Sequence, residues 1–230
     1  MVFKSQGKQL DPPAIPIRIL NQNVTQAKSS KFLGMILDEN ISWKTHIKNI
    51  SLKVAKNIGI INKVKSIFSE KMLLMLYYSM VYPYLSYGSI IWGSTYTTNL
   101  QSLYLLQKKI IRIITNSPFL AHTKPLFLRL NVLTIFDINI FQTSNLIYDY
   151  YHANLPQYFQ NLFQTNSSVH HHNTRSADDL HVPPVRTNSS KFALRFHAPN
   201  VWNSLPNNIK TASNKKVFKF LVKRHLLAVR

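Results

Sequence analysis

No cysteine occurs anywhere in these 230 residues, which excludes disulfides, thiolate-held zinc and thiol catalysis. Acidic residues are almost as scarce: Asp and Glu together number 8, against 28 Lys and Arg, for a formal net charge of +20. A fold with that self-repulsion is best accommodated by a polyanion, so nucleic acid is the first expected partner and an anionic lipid surface the second. Glycine is rare, at 5 residues, and forms no phosphate-cradling loop. The first residues, Met1-Val2-Phe3-Lys4, lack the apolar core of a secretory leader, so an intracellular location, nuclear or cytoplasmic, is expected. Met1-Val2-Phe3 reads like interior strand, as though the chain started within a domain.

Charge is missing altogether between Lys71 and Lys108. A run that long is either a membrane span or the buried centre of a helical domain. The stretch from Met72 to Gly93 holds Tyr77, Tyr78, Tyr82, Tyr84 and Tyr87, with Pro83 in the middle. Buried phenols need partners that lipid tails do not offer, so the core reading is preferred and no membrane span is expected. It predicts a helix capped by Ser69 and running to about Tyr82, a break at Pro83, and a short second element.

Before that run, Ile15, Ile17 and Ile19 alternate as in a half-buried strand, Asn21–Asn23 reads as a turn, and residues 31–38 read as a strand with Gly34 in its interior. Ser42 is the expected cap of a helix whose Ile47, Ile50, Val54, Ile58 and Ile61 form one stripe, with Lys48, Lys53, Lys56 and Lys63 towards the other side. Almost no acid balances those lysines, which favours a phosphate-facing role over a merely solvated face.

A further helix is predicted from about Thr98 to Thr115, lined by Leu103, Leu106, Ile110 and Ile113, with Lys108, Lys109 and Arg112 in its last turns. Thr123, as a cap, and Pro125 open a short helix through Leu130, and Thr134 with Asp137 resembles a capping box for a helix reaching Tyr151. Asn154-Leu155-Pro156 stops it, and a short helix is expected to follow to Phe163. Residues 164–190 lose the apolar pattern and read as an irregular linker. A basic helix from Ser213 closes the chain, with Val217, Phe220, Leu221 and the stem of Arg224 inward and Lys215, Lys216, Lys219 and Lys223 outward.

Two clusters look catalytic at first sight. His170-His171-His172 are consecutive, and consecutive residues rarely converge on one ion. Asp178-Asp179 suggest the paired carboxylates with which polymerases hold magnesium, but the pair has no apolar hairpin around it and no third acid nearby, so an exposed turn or cap is expected. The residues by themselves show no active site, and no metal or cofactor is expected in this chain.

The order of features is nevertheless specific. Phe32-Leu33-Gly34-Met35-Ile36-Leu37-Asp38 and Ile41-Ser42-Trp43-Lys44-Thr45-His46-Ile47 resemble the segment that follows the catalytic core in reverse transcriptases (RNA-directed DNA polymerases) of non-LTR retrotransposons of the LINE, jockey-like kind. Tyr82-Pro83-Tyr84-Leu85-Ser86-Tyr87-Gly88 with Ile91-Trp92-Gly93, then Leu106-Gln107-Lys108-Lys109 with Ile111-Arg112-Ile113, follow in the same order. Arg175-Ser176-Ala177-Asp178-Asp179-Leu180 and Pro199-Asn200-Val201-Trp202-Asn203-Ser204-Leu205-Pro206 resemble parts of that family's tail.

The resemblance implies an α+β, predominantly α-helical carboxy-terminal fragment. Residues 1–41 would be the end of a palm with a primer-grip-like hairpin at Phe32, Leu33 and Gly34, and 42–163 a thumb-like helical domain. Residues 164–190 would be a linker and 191–230 a basic carboxy-terminal region. It implies template–primer RNA and DNA as partners, with Lys48, Lys53, Lys56, Lys63, Lys108, Lys109 and Arg112 as contacts, and the upstream polymerase core as a further partner. The family's catalytic aspartates lie upstream of the segment matched by Met1, so Mg2+ is expected only in the full-length polymerase and this chain alone is expected to be inactive. The alternatives are an independent basic RNA- or DNA-binding module and a peripheral membrane protein.

Overall fold

Two small antiparallel ribbons open the chain, each closed by a two-residue turn. A computed structural model describes residues 1–4, 17–170 and 175–229. Strand β1 (Arg18–Ile19) pairs with β2 (Gln22–Asn23), and β3 (Ser29–Phe32) pairs with β4 (Met35–Asp38) in the register Phe32↔Met35. Both central residues of the second turn have positive φ, 46° at Leu33 and 79° at Gly34, as a twist-matched two-residue hairpin requires. Residues 31–38 are therefore not one strand with an interior glycine: Gly34 is the second turn residue. The first turn likewise falls on Leu20-Asn21, one residue earlier than expected. Ile17 and Ile19 are both exposed, so that segment is not half-buried, and Ile15 lies outside the described residues.

Helix α1 (Lys44–Val64) buries Ile47, Ile50, Val54, Ile58 and Ile61, the expected stripe. Its cap differs. Ser42 donates its hydroxyl to Asp38 Oδ2 at 2.9 Å, and Trp43, at φ 61°, holds the cap position without a side-chain bond. Ser42 Oγ accepts from the Lys44 amide at a long 3.4 Å, and the buried Trp43 and His46 pack the start of the helix into the core.

The uncharged run forms α2 (Glu70–Leu76), a π-helical turn (Tyr77–Val81), α3 (Tyr82–Ser86) and α4 (Ser89–Trp92). Ser69 caps α2, accepting from the Met72 amide. Pro83 does not break the helix. With no amide there, the preceding turn widens: Tyr82 N–H reaches back five residues to the Tyr77 carbonyl, and α-helix resumes with Pro83 in its first turn. The Met80 carbonyl is satisfied from outside the helix by Asn57 Nδ2 of α1, at 2.6 Å. The real interruption is Gly88, at φ 63°, where a Cβ would stand 2.7 Å from Met35 Sδ.

Helices α5 (Thr97–Ile114), α6 (Thr123–Arg129) and α7 (Ile135–Tyr151) complete the body. Thr134 and Asp137 form the expected capping box. Thr123 is a buried first residue of α6 rather than its cap, and His122 takes the cap position. Gln107 of α5 is fully buried. Its Nε2 donates to Tyr77 Oη (2.9 Å) and to the Leu133 carbonyl (2.8 Å), while its Oε1 accepts from the Ile135 amide (2.8 Å).

A 3-10 turn (Gln157–Phe159) follows, then α8 (Asn166–Val169), α9 (Asn188–Lys191), α10 (Leu194–Asn203), α11 (Asn207–Lys210) and α12 (Lys215–Ala228). Within residues 164–190, Thr165 bridges Leu180, and Asn203 clamps Leu180 by bonding both its amide (3.0 Å) and its carbonyl (2.8 Å). Leu180 is buried as a result. In α12 the inward row is Phe218, Val222 and Leu226, not Val217, Phe220 and Arg224, which are exposed. Phe218 stacks on Tyr148 of α7 (4.4 Å between ring centres), and that contact fixes the helix's rotation. Lys223 is half-buried rather than outward, and burial lowers its pKa. The architecture is α+β and mainly helical, as expected, and no helix among the described residues is long and apolar enough to cross a membrane.

Candidate nucleic-acid interface

Helices α1 and α5 run side by side in the same direction. Asn99, at the start of α5, donates to the Ser42 carbonyl (3.4 Å), Ser51 and Ser102 meet midway (3.2 Å), and both helices end at one common groove. The groove, about 320 Å³ in volume, is floored by Ala55 and Gly59 and flanked by Lys65, Lys109 and Arg112. Small residues one turn apart on α1 leave the space, and the cations suit two adjacent carbonyl ends. Arg112 is held in place: its Nε donates to the Ala121 carbonyl (3.0 Å), and its guanidinium lies 5.9 Å from the Phe119 ring centre.

The other basic residues separate onto different faces. Lys48, Lys56 and Lys63 stand exposed on the side of α1 away from the isoleucine stripe. Lys53 points to the opposite flank, its ammonium 5.6 Å from the Tyr84 ring centre. Lys108 turns to Tyr104, 4.6 Å from that ring centre, away from the groove that holds Lys109. None of these lysines, nor Arg112, forms an ion pair among the described residues. The pairs present are Lys4–Glu39, Arg129–Glu70, Lys210–Asp179 and Lys215–Asp149. Sequence reading missed Lys65, which lies one residue past the end of α1, where helical spacing no longer assigns a face.

The hairpin tip sits on the opposite flank of α1. Phe32 and Leu33 are 60% and 68% exposed, while Gly34 packs against the Tyr87 ring. Tyr87 Oη donates to the Leu33 carbonyl at 2.8 Å, tying the tip to the helical body. Behind the tip a second cavity, about 610 Å³, lies between α1, the π-helical turn and α3. His46 contributes to its wall and packs edge-on between Trp43 and Trp92. Its Nδ1 accepts from the Ile36 amide at 3.2 Å, so Nε2 carries the proton, and among the described residues Nε2 has no partner. Burial, aided by the Lys53 charge, pushes the His46 pKa down and keeps the ring neutral.

Asp178 and Asp179 lie in a turn, and Asp179 faces Lys210 at 3.7 Å. Among the described residues no three acidic, histidine or cysteine side chains converge as a metal site. His170 packs near His181, with ring centres 5.4 Å apart, while His171 and His172 lie outside the described residues.

No family model matches the chain, and no solved structure matches it. Over 134 residues it is 28% identical to the probable RNA-directed DNA polymerase from transposon X-element of Drosophila melanogaster, covering 56% of this chain and 14% of that protein. It is 26% identical over 132 residues to the probable RNA-directed DNA polymerase from transposon BS of the same organism, with the same coverage of 56% and 14%. This chain thus spans about 14% of the length of the curated relatives it matches. The resemblance to a retrotransposon reverse transcriptase region, read from the order of motifs, is thereby supported: over more than half of its length this chain is similar to transposon RNA-directed DNA polymerases.

Proposed function

We propose that this chain is a thumb-like, nucleic-acid-holding part of a retrotransposon reverse transcriptase, downstream of the polymerase centre. On this reading α1 and α5 hold the template–primer duplex by its phosphates. The β3–β4 tip, with Phe32, Leu33 and Gly34, approaches the primer end. The catalytic aspartates and their Mg2+ belong to the polymerase core outside this chain, and that core is its partner.

The observation that carries the proposal is the basic surface of these two helices, which has no ion pairs among the described residues. Lys48, Lys56 and Lys63 on α1, and Lys65, Lys109 and Arg112 around the groove, lie on elements whose opposite sides are buried in the core. A surface in which cations outnumber acids this strongly gains most from neutralising phosphates, with release of condensed counterions. Lys53 and Lys108 face elsewhere, so the phosphate path involves a subset of the basic residues. The test is equilibrium binding of a fluorescent RNA–DNA primer–template across a salt series. The reading predicts a log–log slope of several units, at about 0.9 per neutralised phosphate on a duplex. Binding that does not weaken with salt contradicts it.

A further inference from the structure

The cavity behind the hairpin tip has a composition that phosphate contacts do not explain. Its wall combines the Tyr84 and Tyr87 rings with Asn49, His46 and Lys53, and the π-helical turn supplies Ser79 and Met80. Lone π turns inside α-helices are often retained at functional sites. Here Pro83 and the Asn57 bond to the Met80 carbonyl hold the turn in place. Apolar cavities of about 300–1,000 Å³ with a few placed polar groups are the usual form of small-ligand sites. This one, at about 610 Å³, lies within that range.

One polar side chain of the wall is unspent: among the described residues Asn49 makes no side-chain hydrogen bond, although it is half-buried. His46 lines the wall but is only 4% exposed and its Nε2 is sealed from solvent, so it shapes the cavity rather than offering it a donor. Tyr84 is 37% exposed and carries the Lys53 ammonium near its ring. An aromatic face, an amide and a cation at the rim match one ligand chemistry: a flat heterocycle with hydrogen-bonding edges, attached to a phosphate.

We infer that this cavity takes an unstacked nucleobase of a single strand, with the base against Tyr84, its edge towards Asn49, and its phosphate near Lys53. The inference deepens the nucleic-acid reading and rests on it. The base adds sequence-tolerant stacking to the phosphate attraction, and Tyr87, which anchors the hairpin tip, couples an occupied cavity to the position of Phe32 and Leu33.

The test compares binding of a ten-nucleotide oligothymidylate with an oligomer of the same length in which every base is replaced by an abasic residue. The two have equal charge. Base–aromatic stacking makes the parent protein favour the first by about fivefold or more. Tyr84→Ala should abolish most of that preference and Asn49→Ala reduce it, with affinity for the abasic oligomer unchanged in both. Both side chains are partly exposed, and among the described residues neither holds another element by a hydrogen bond, so folding persists. Equal binding of the two oligomers by the parent overturns the cavity assignment. So does a preference that survives unchanged in both variants. Failure of the parent to bind either oligomer at low salt, while it still binds a primer–template duplex, overturns the cavity assignment alone. Failure with the duplex as well overturns the nucleic-acid reading itself, which keeps the two failures distinct.

Discussion

Gln107 Nε2 donates to the hydroxyl of Tyr77 at 2.9 Å, across the interface between α5 and the π-helical turn. This bond is what makes a run without charge between Lys71 and Lys108 compatible with a protein core. Burial pushes the Tyr77 phenol far above its ordinary pKa, so it stays neutral, and Gln107 gives it a partner. Gln107→Leu leaves Tyr77 Oη, the Leu133 carbonyl and the Ile135 amide unpaired. An orphaned buried group costs about 1–3 kcal/mol, so for three of them a loss of at least about 3 kcal/mol in chemical denaturation is expected. Tyr77→Phe removes a single bond and should cost about 1 kcal/mol. Equal effects from the two variants would show that Gln107 is not the hub.

Acid should destabilise the fold through its buried histidines. Burial lowers the pKa of His46, assisted by the Lys53 charge, and burial lowers that of His197. The His197 ring bonds Asn139 Oδ1 at 2.7 Å, and because Asn139 Nδ2 already donates to the Ser89 carbonyl, His197 Nε2 is the donor. A histidine with a depressed folded pKa leaves stability whole above its unfolded pKa, near 6.5, and removes it as pH falls towards the folded value. Melting temperature should therefore be flat from pH 8 to 7 and drop between pH 6.5 and 5. In His197→Gln, which can still donate to Asn139, the drop should be smaller. A parent Tm as high at pH 5 as at pH 7.5 contradicts this account.

Limited trypsinolysis should cut first after Arg186. That residue is exposed, and among the described residues 182–186 make no backbone hydrogen bond, unlike the bridged pair Thr165 and Leu180 before them. Segments without such bonds open at the lowest free energy. Initial cleavage within α1 or α5 would place the stable body elsewhere.

The chain alone should not extend a primer with magnesium or manganese. Asp178 and Asp179 lie in a turn with Lys210 against Asp179, and no third acid joins them among the described residues. Extension above a no-protein control, lost in Asp179→Asn, would restore the pair to a catalytic role.

Much of this was readable from residue spacing. The isoleucines of α1 recur at three and four residues with lysines between them, so burial and exposure follow from periodicity alone. The Thr134–Asp137 box is likewise local chemistry. What spacing could not show depends on distant partners. The rotation of α12 is set by Phe218 against Tyr148, Pro83 is accommodated because Asn57 reaches Met80, and Lys53 departs from its neighbouring lysines because Tyr84 lies beneath it. The turn at Leu33-Gly34 was hidden by apolar residues on both sides that mimic an uninterrupted strand.

The most direct test of the central claim is the salt dependence of primer–template binding by Lys48→Gln/Lys56→Gln/Lys63→Gln beside the parent. These side chains are exposed and form no ion pair among the described residues, so the variant should melt within about 0.5 kcal/mol of the parent. If α1 faces phosphates, affinity falls across all sequences and the log–log salt slope flattens by up to about three units. Unchanged affinity and slope in a variant that melts like the parent would contradict a duplex-holding role for this helix.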